Sequence, residues 1–169
     1  MNTTMNKTHI QALGLGLAVL IADQITKMLV LAHVSGKTIA VLPFFNLVHV
    51  WNRGVSFGLF GGGESALMPW ILTACALFIV IFLLIWLFRT AHAPLALAIG
   101  AVIGGALGNI IDRARFGAVV DFLDFHAFDW HYPAFNIADS AIVLGIAFVL
   151  LDSLFWEPKR NKTEKTAKE

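Results

Sequence analysis

Four long apolar runs divide the chain, at about residues 10–33, 66–88, 94–113 and 135–156. A bilayer core about 30 Å thick needs about 20 apolar residues per helical crossing, so each run predicts a membrane-spanning helix. From Ala66 to Phe88 there is no charged residue at all. The first run is too long for the apolar part of a cleaved secretory signal and contains Asp23 and Lys27, so it reads as a retained helix. Between runs one and two the pattern changes. Leu47-Val48-His49-Val50-Trp51-Asn52 alternates, and the segment 38–60 is rich in Val and Phe, which predicts short strands in a small outer sheet. Gly54, Gly58 and Gly61-Gly62-Gly63 supply turns. Asp121-Phe122-Leu123-Asp124-Phe125-His126 mixes acids with aromatics, which predicts a short interfacial helix. The fold class expected is an all-α four-helix transmembrane bundle with that sheet and helix on its outer face. Residues 1–169 form one domain, with 157–169 a cytoplasmic tail.

Composition agrees. The chain is 58% hydrophobic and 14% charged, against about 25% charged in soluble domains, and its mean hydropathy is +0.77. A water-soluble globule, a disordered chain and a basic nucleic-acid binder are excluded. The net charge of +1 says little, but its distribution orients the helices. Lys7, Arg89 and the tail residues Lys159, Arg160, Lys162, Lys165 and Lys168 put both termini on the cytoplasmic side. Trp51, Trp70, Trp130 and Tyr132 would mark the outer interface, and Trp86 and Trp156 the inner one. Arg113 and Arg115 break the rule, since they fall at the outer end of span three. Cys75, the single cysteine, has no partner for a disulfide and lies in an apolar run.

Ionisable residues within the spans cost about 2.5–3.5 kcal/mol each by insertion scales, so the few present are informative. Asp23 and Lys27 lie one turn apart and read as an internal ion pair. Gly100, Gly104 and Gly108 make a smooth stripe for close helix packing. Beside it, near the outer end of span three, stand Asn109, Asp112 and Arg113. Asn136 reads as a helix N-cap and Asp139 as a first-turn carboxylate. Asp121, taken alone, is an acid in a wet loop. The topology changes that reading, because the 18 residues from Asp121 to Asp139 return the chain to one depth. Two adjacent carboxylates do not both ionise readily, so one keeps a proton. Such a pair polarises a carbonyl and activates a water, the chemistry of peptide hydrolysis without a covalent intermediate.

Five motifs, in this order and spacing, resemble those of the lipoprotein signal peptidases (signal peptidase II). They are Asp23-Gln24-Ile25-Thr26-Lys27, then Asn52-Arg53-Gly54-Val55-Ser56-Phe57, then Gly104-Gly105-Ala106-Leu107-Gly108-Asn109-Ile110-Ile111-Asp112-Arg113, then Val119-Val120-Asp121-Phe122, and last Phe135-Asn136-Ile137-Ala138-Asp139-Ser140-Ala141. The resemblance implies an aspartic endopeptidase of the bacterial inner membrane, acting near its outer leaflet on diacylglyceryl-modified prolipoproteins and cutting on the amino side of the lipidated cysteine. It implies Asp121 and Asp139 as the catalytic pair. Asn52, Gly54, Asn109, Arg113 and Asn136 would line the substrate site, braced by Asp23, Lys27 and Asp112. It implies a monomer among membrane lipids, with no metal, other cofactor or nucleic acid. Val55 and Ser56 depart from the two alanines common in the family at that place.

Four other readings compete. A small transporter or proton relay would spread its acids through the depth of the bundle, whereas here only Asp23 and Lys27 lie deep. A metal hydrolase would draw on Asp121, Asp124, His126, Asp129 and His131, although no metal-binding spacing is present. A serine–lysine dyad would use Ser56 and Lys27. A non-enzymatic scaffold accounts for the glycines but not for the convergent acids.

Overall fold

The computed structural model describes residues 6–54 and 67–156. Four helices dominate it: α1 (Lys7–His33), α2 (Met68–Arg89), α3 (Ala93–Phe116) and α4 (Ile137–Leu151), the last prolonged by a π-helical turn over Asp152–Trp156. All four are long and apolar enough to cross a bilayer, where only a helix satisfies its own backbone hydrogen bonds. They correspond to the four runs read from the sequence. The tail 157–169, and with it Val55, Ser56, Gly58 and Gly61 to Gly63, lies outside the described residues.

The bundle is built around α3, which packs against α1, α4 and α2. About three-fifths of its apolar window (61%) is buried, against 17–22% for the other helices. The glycine stripe explains why. A Cβ on Gly104 would collide with the backbone carbonyl of Gly16 on α1, and one on Gly108 with the Asp23 carboxylate. The stripe therefore serves packing and also makes room for a buried charge. Gly104→Ala is expected to lower stability by about 1–3 kcal/mol, because backbone cannot swing aside as a side chain can. Gly14→Ala, with nothing within 4 Å of the new methyl, is the control; unfolding temperatures in one detergent compare them. The apolar core joins Ala12 with Val80, Leu83 and Leu87 of α2 and Ile99, Val102 and Ile103 of α3.

At the end of the bundle where α1 and α3 finish, the chain forms an antiparallel sheet in the order β1 (Ile39–Leu42), β2 (Phe45–Asn52), β3 (Val119–Ala127), β4 (Trp130–His131). The strands of the first outer segment are those expected. The Asp121–His126 segment corrects the expectation of an interfacial helix, for it is the body of β3. Residues 119 to 122 are buried on both sides of the strand, which a helix at an interface would not achieve. Val120 and Phe122 meet Val30 and Val34 of α1, while Asp121 lies in register with Val50 of β2. The strand also separates the acids. A helix would stack Asp121 and Asp124 on one face, whereas β3 pairs Asp124 with Asn46, whose Nδ2 donates to it at 3.0 Å, and leaves Asp121 to another set of partners.

Candidate active site

The site has a lower layer buried between α1 and α3. Lys27 is 2% exposed, and its ammonium has three donors. They go to Asp23 Oδ2 at 2.9 Å, Asp112 Oδ2 at 2.9 Å and Asn109 Oδ1 at 2.9 Å. The ion pair read between Asp23 and Lys27 is thus a three-membered cluster that includes Asp112. Each acid also holds a backbone group. Asp23 Oδ1 accepts the N–H of Ala138 at 2.9 Å, and Asp112 Oδ2 accepts that of Val120 at 3.1 Å. Ala138 immediately precedes Asp139, and Val120 immediately precedes Asp121.

Gln24 has no signal in the sequence beyond its place in the first motif, since an uncharged amide beside Asp23 carries no chemistry of its own. Its Nε2 donates to Asp112 Oδ1 at 3.0 Å and to the Gly108 carbonyl at 3.2 Å, with a longer contact to Asp23 at 3.3 Å. Since Lys27 has no donor left, Gln24 serves the acids from their other side. Gln24→Leu is expected to cost about 1.5–3 kcal/mol, the usual worth of a hydrogen bond to a charged group, and Gln24→Glu more, because it adds a third carboxylate. Unfolding temperature measures both.

Above this layer sit the two acids singled out by the topology. Asn136 caps α4: its Oδ1 accepts the Asp139 N–H at 2.9 Å, and the Asp139 carboxylate accepts the Asn136 N–H at 3.2 Å. The capping role read from the sequence is real, and the same side chain does more. Asn136 Nδ2 donates to Asp121 Oδ1 at 2.7 Å. Asn52, at the end of β2, donates to Asp121 Oδ2 at 2.8 Å, and Asn109 donates to Asp139 Oδ1 at 2.8 Å. Three asparagines from three elements therefore hold both acids in one cluster. Asp121 is 2% exposed. Burial pushes its carboxyl up to about 6; the Asn52 and Asn136 donors oppose the rise, and the neighbouring charge of Asp139 adds to it.

Gly54 and Arg113 frame the cluster. The Gly54 N–H donates to Asn52 Oδ1 at 2.8 Å, which fixes the Asn52 amide with its donor toward Asp121. Gly54 has φ +82°, and a Cβ there would strike Leu72 on α2, so no other residue fits this turn without strain. Arg113 is half-buried. Its charge acts on Asp139, Asp121 and Asp112, while its Nε is shielded from solvent without a hydrogen-bond partner among the described residues. The residues of the metal-hydrolase reading do not gather at the two acids. Asp124 and His131 form their own pair at 2.8 Å, Asp129 lies in the β3–β4 turn, and Asp121 belongs to the asparagine cluster. Lys27 is enclosed by two carboxylates and an amide, which leaves it no free base for a serine. Among the described residues of the helices, the buried charges fall at two separate places, the cluster below the acids and Asp152 beside His92 at the opposite end, with the apolar core between them, so they do not line the depth of the bundle as a relay would require.

A family model described as signal peptidase (SPase) II matches residues 15–155. The chain is similar to the lipoprotein signal peptidase of Methylorubrum extorquens (strain PA1), 49% identical over 122 residues, covering 72% of this chain and 71% of that protein. The lipoprotein signal peptidase of Burkholderia mallei (strain SAVP1) is 43% identical over 144 residues, covering 84% and 86%. Among solved structures, a bacterial membrane enzyme determined by the in meso method at 1.9 Å superposes with a TM-score of 0.74 at 30% identity, over 86% of this chain and 93% of that one.

Proposed function

The chain belongs to the signal peptidase II family, and from that premise we propose that Asp121 and Asp139 are the pair that activates water in its reaction. The protein is an aspartic endopeptidase of the bacterial inner membrane that removes signal peptides from prolipoproteins. The observation that carries the residue assignment is the double role of Asn136, which donates to Asp121 at 2.7 Å and accepts the Asp139 N–H at 2.9 Å. One amide thereby sets the spacing of the two acids.

The roles follow from surroundings. Asp139 stands in the first turn of α4, at the positive end of the helix, and accepts N–H groups from Asn109 and Asn136; it takes the proton of the attacking water. Asp121, buried and pushed upward, gives its proton to the scissile carbonyl oxygen. When the tetrahedral adduct collapses, Asp139 gives the water's proton to the leaving amide nitrogen, a hydroxyl of the adduct returns its proton to Asp121, and the C–N bond breaks to leave a carboxylic acid and an amine. The charge of Arg113, which acts on both acids, steadies the negative charge that develops on the substrate carbonyl oxygen, and Asn52 with Gly54 shapes the wall beside it. Both termini lie in the cytoplasm, as the basic flanks argue, so the sheet and the acids face the outer leaflet. There a precursor held by its signal helix and acyl chains presents its cleavage point. The substrate is the diacylglyceryl-modified form, cut on the amino side of the lipidated cysteine. The enzyme works as a monomer surrounded by lipid.

The test compares cleavage of a diacylglyceryl-modified precursor with its unlipidated counterpart between pH 5 and 8.5. For the modified precursor, kcat/KM is expected to fall about tenfold per pH unit above about 6, as the shared proton is lost. The unlipidated form is expected to be cut about 100-fold more slowly, since remote binding energy is missing. A flat profile over that range, or equal cleavage of both forms, overturns the reading.

A further inference from the structure

Away from the acids, the β3–β4 hairpin carries a second constellation that the peptidase chemistry leaves unused. His126 and His131 are direct partners across the two strands. Their rings stack 4.9 Å apart and 23° from parallel. His131 is oriented from beneath: its Nδ1 lies 2.8 Å and 3.0 Å from the two Asp124 oxygens, and Asp124 is fixed in turn by Asn46 at 3.0 Å. With Nδ1 committed as the donor, the other ring nitrogen of His131, whose side chain is 52% exposed, is left with its lone pair directed away from the carboxylate. His126 is half-buried; its backbone N–H donates to the Phe44 carbonyl at 2.9 Å, and among the described residues no hydrogen bond holds its ring.

A metal-binding histidine commonly donates its second nitrogen to a carboxylate, which fixes the tautomer and raises the basicity of the ligating nitrogen. Asp124 and His131 stand in that relation. Two imidazoles on adjacent strands, one so oriented and the other held by no ring hydrogen bond and able to rotate out of the stack, offer two prongs for a borderline divalent ion such as Zn²⁺, Cu²⁺ or Ni²⁺. We propose that His126 and His131 bind one such ion on the hairpin, with water completing its coordination. Among the described residues no three His, Cys, Asp or Glu side chains converge on a metal, so this is a two-ligand site and not a closed cage. Its position gives it a consequence. His126 lies five residues after Asp121 and His131 five residues before Asn136. An ion bridging them ties together the two strands that lead away from one catalytic acid and back to the residue that spaces the pair.

The experiment uses the full chain, purified on a tag without histidines, stripped with chelator and titrated with ZnCl₂ by calorimetry and by unfolding temperature. One ion per chain is expected, with a rise in unfolding temperature. His126→Ala and His131→Ala are each expected to weaken binding at least about tenfold and to abolish the rise, and Asp124→Asn to weaken it by about 10- to 100-fold. His33→Ala, altering an exposed histidine at the end of α1, is expected to leave it unchanged. The His126 and His131 variants are expected to keep metal-free peptidase activity, which shows them folded. Unaltered Zn²⁺ binding in either hairpin variant, an equal loss in His33→Ala, or no binding to the parent overturns the proposal. Activity of the stripped parent tests the peptidase assignment separately.

Discussion

Asp121→Asn and Asp139→Asn are each expected to slow cleavage of a lipidated precursor by about 10⁴-fold, close to 5 kcal/mol of transition-state stabilisation, and the double variant to be scarcely slower. The lack of additivity follows from the shared proton, for a pair that has lost one acid has no function left for the other. Stability separates this loss from misfolding. The Asp121 carboxyl sits at about 6 because burial disfavours its charged form. The folded protein therefore holds that proton more tightly than the unfolded chain does. Stability is fullest below the ordinary carboxylate value of 3.8 and declines as pH rises through about 6, by about 3 kcal/mol in total. An amide at position 121 bears no charge and escapes this loss. Asp121→Asn is expected to unfold at a temperature equal to or above that of the parent at pH 8, and to lose that margin by pH 4. Either variant keeping more than a tenth of the parental rate removes the acid from the mechanism.

The sequence carried the spans because bilayer thickness imposes a length that needs no knowledge of tertiary contacts. It also carried Asp23 with Lys27, and Asn136 with Asp139, because one helical turn brings their side chains together. What it hid was non-local. In Asp121 to His126 the acids and phenylalanines recur every third residue, a spacing compatible with a helix. Only pairing with β2, some seventy residues earlier and across two membrane spans, decides for a strand. Asp112 joins Lys27 through helix packing that the glycine stripe permits but does not specify. The backbone N–H groups of Val120 and Ala138, which tie the lower acids to the upper ones, have no side-chain signature at all. Asn136 shows why two readings of one motif need not compete: the cap that starts α4 is also the group that spaces the acids.

Lys27→Met is expected to be the most damaging single change to stability, at about 3–5 kcal/mol, because it leaves Asp23 and Asp112 buried around a missing cation. That is a large part of the margin by which a protein of this size stays folded. Lys27→Arg is not expected to rescue it, since a planar guanidinium cannot place three donors on Asp23, Asp112 and Asn109 as an ammonium does. The combination Asp23→Asn, Lys27→Met and Asp112→Asn removes all three charges while keeping oxygen acceptors for the N–H groups of Ala138 and Val120. Its unfolding temperature is expected to recover most of the loss. Its activity is not. Lys27 donates to the oxygen of Asn109 and so fixes that amide with its nitrogen toward Asp139. Once the ammonium is gone only the longer donation from Asn136 Nδ2, at 3.3 Å, still holds that oxygen, so the amide turns more readily and in part presents a lone pair to the carboxylate. Kinetics of the triple variant are therefore expected to show kcat reduced at least about tenfold with KM little changed, the mark of an interaction needed chiefly in the transition state. Recovery of kcat along with stability would reduce Lys27 to a packing element.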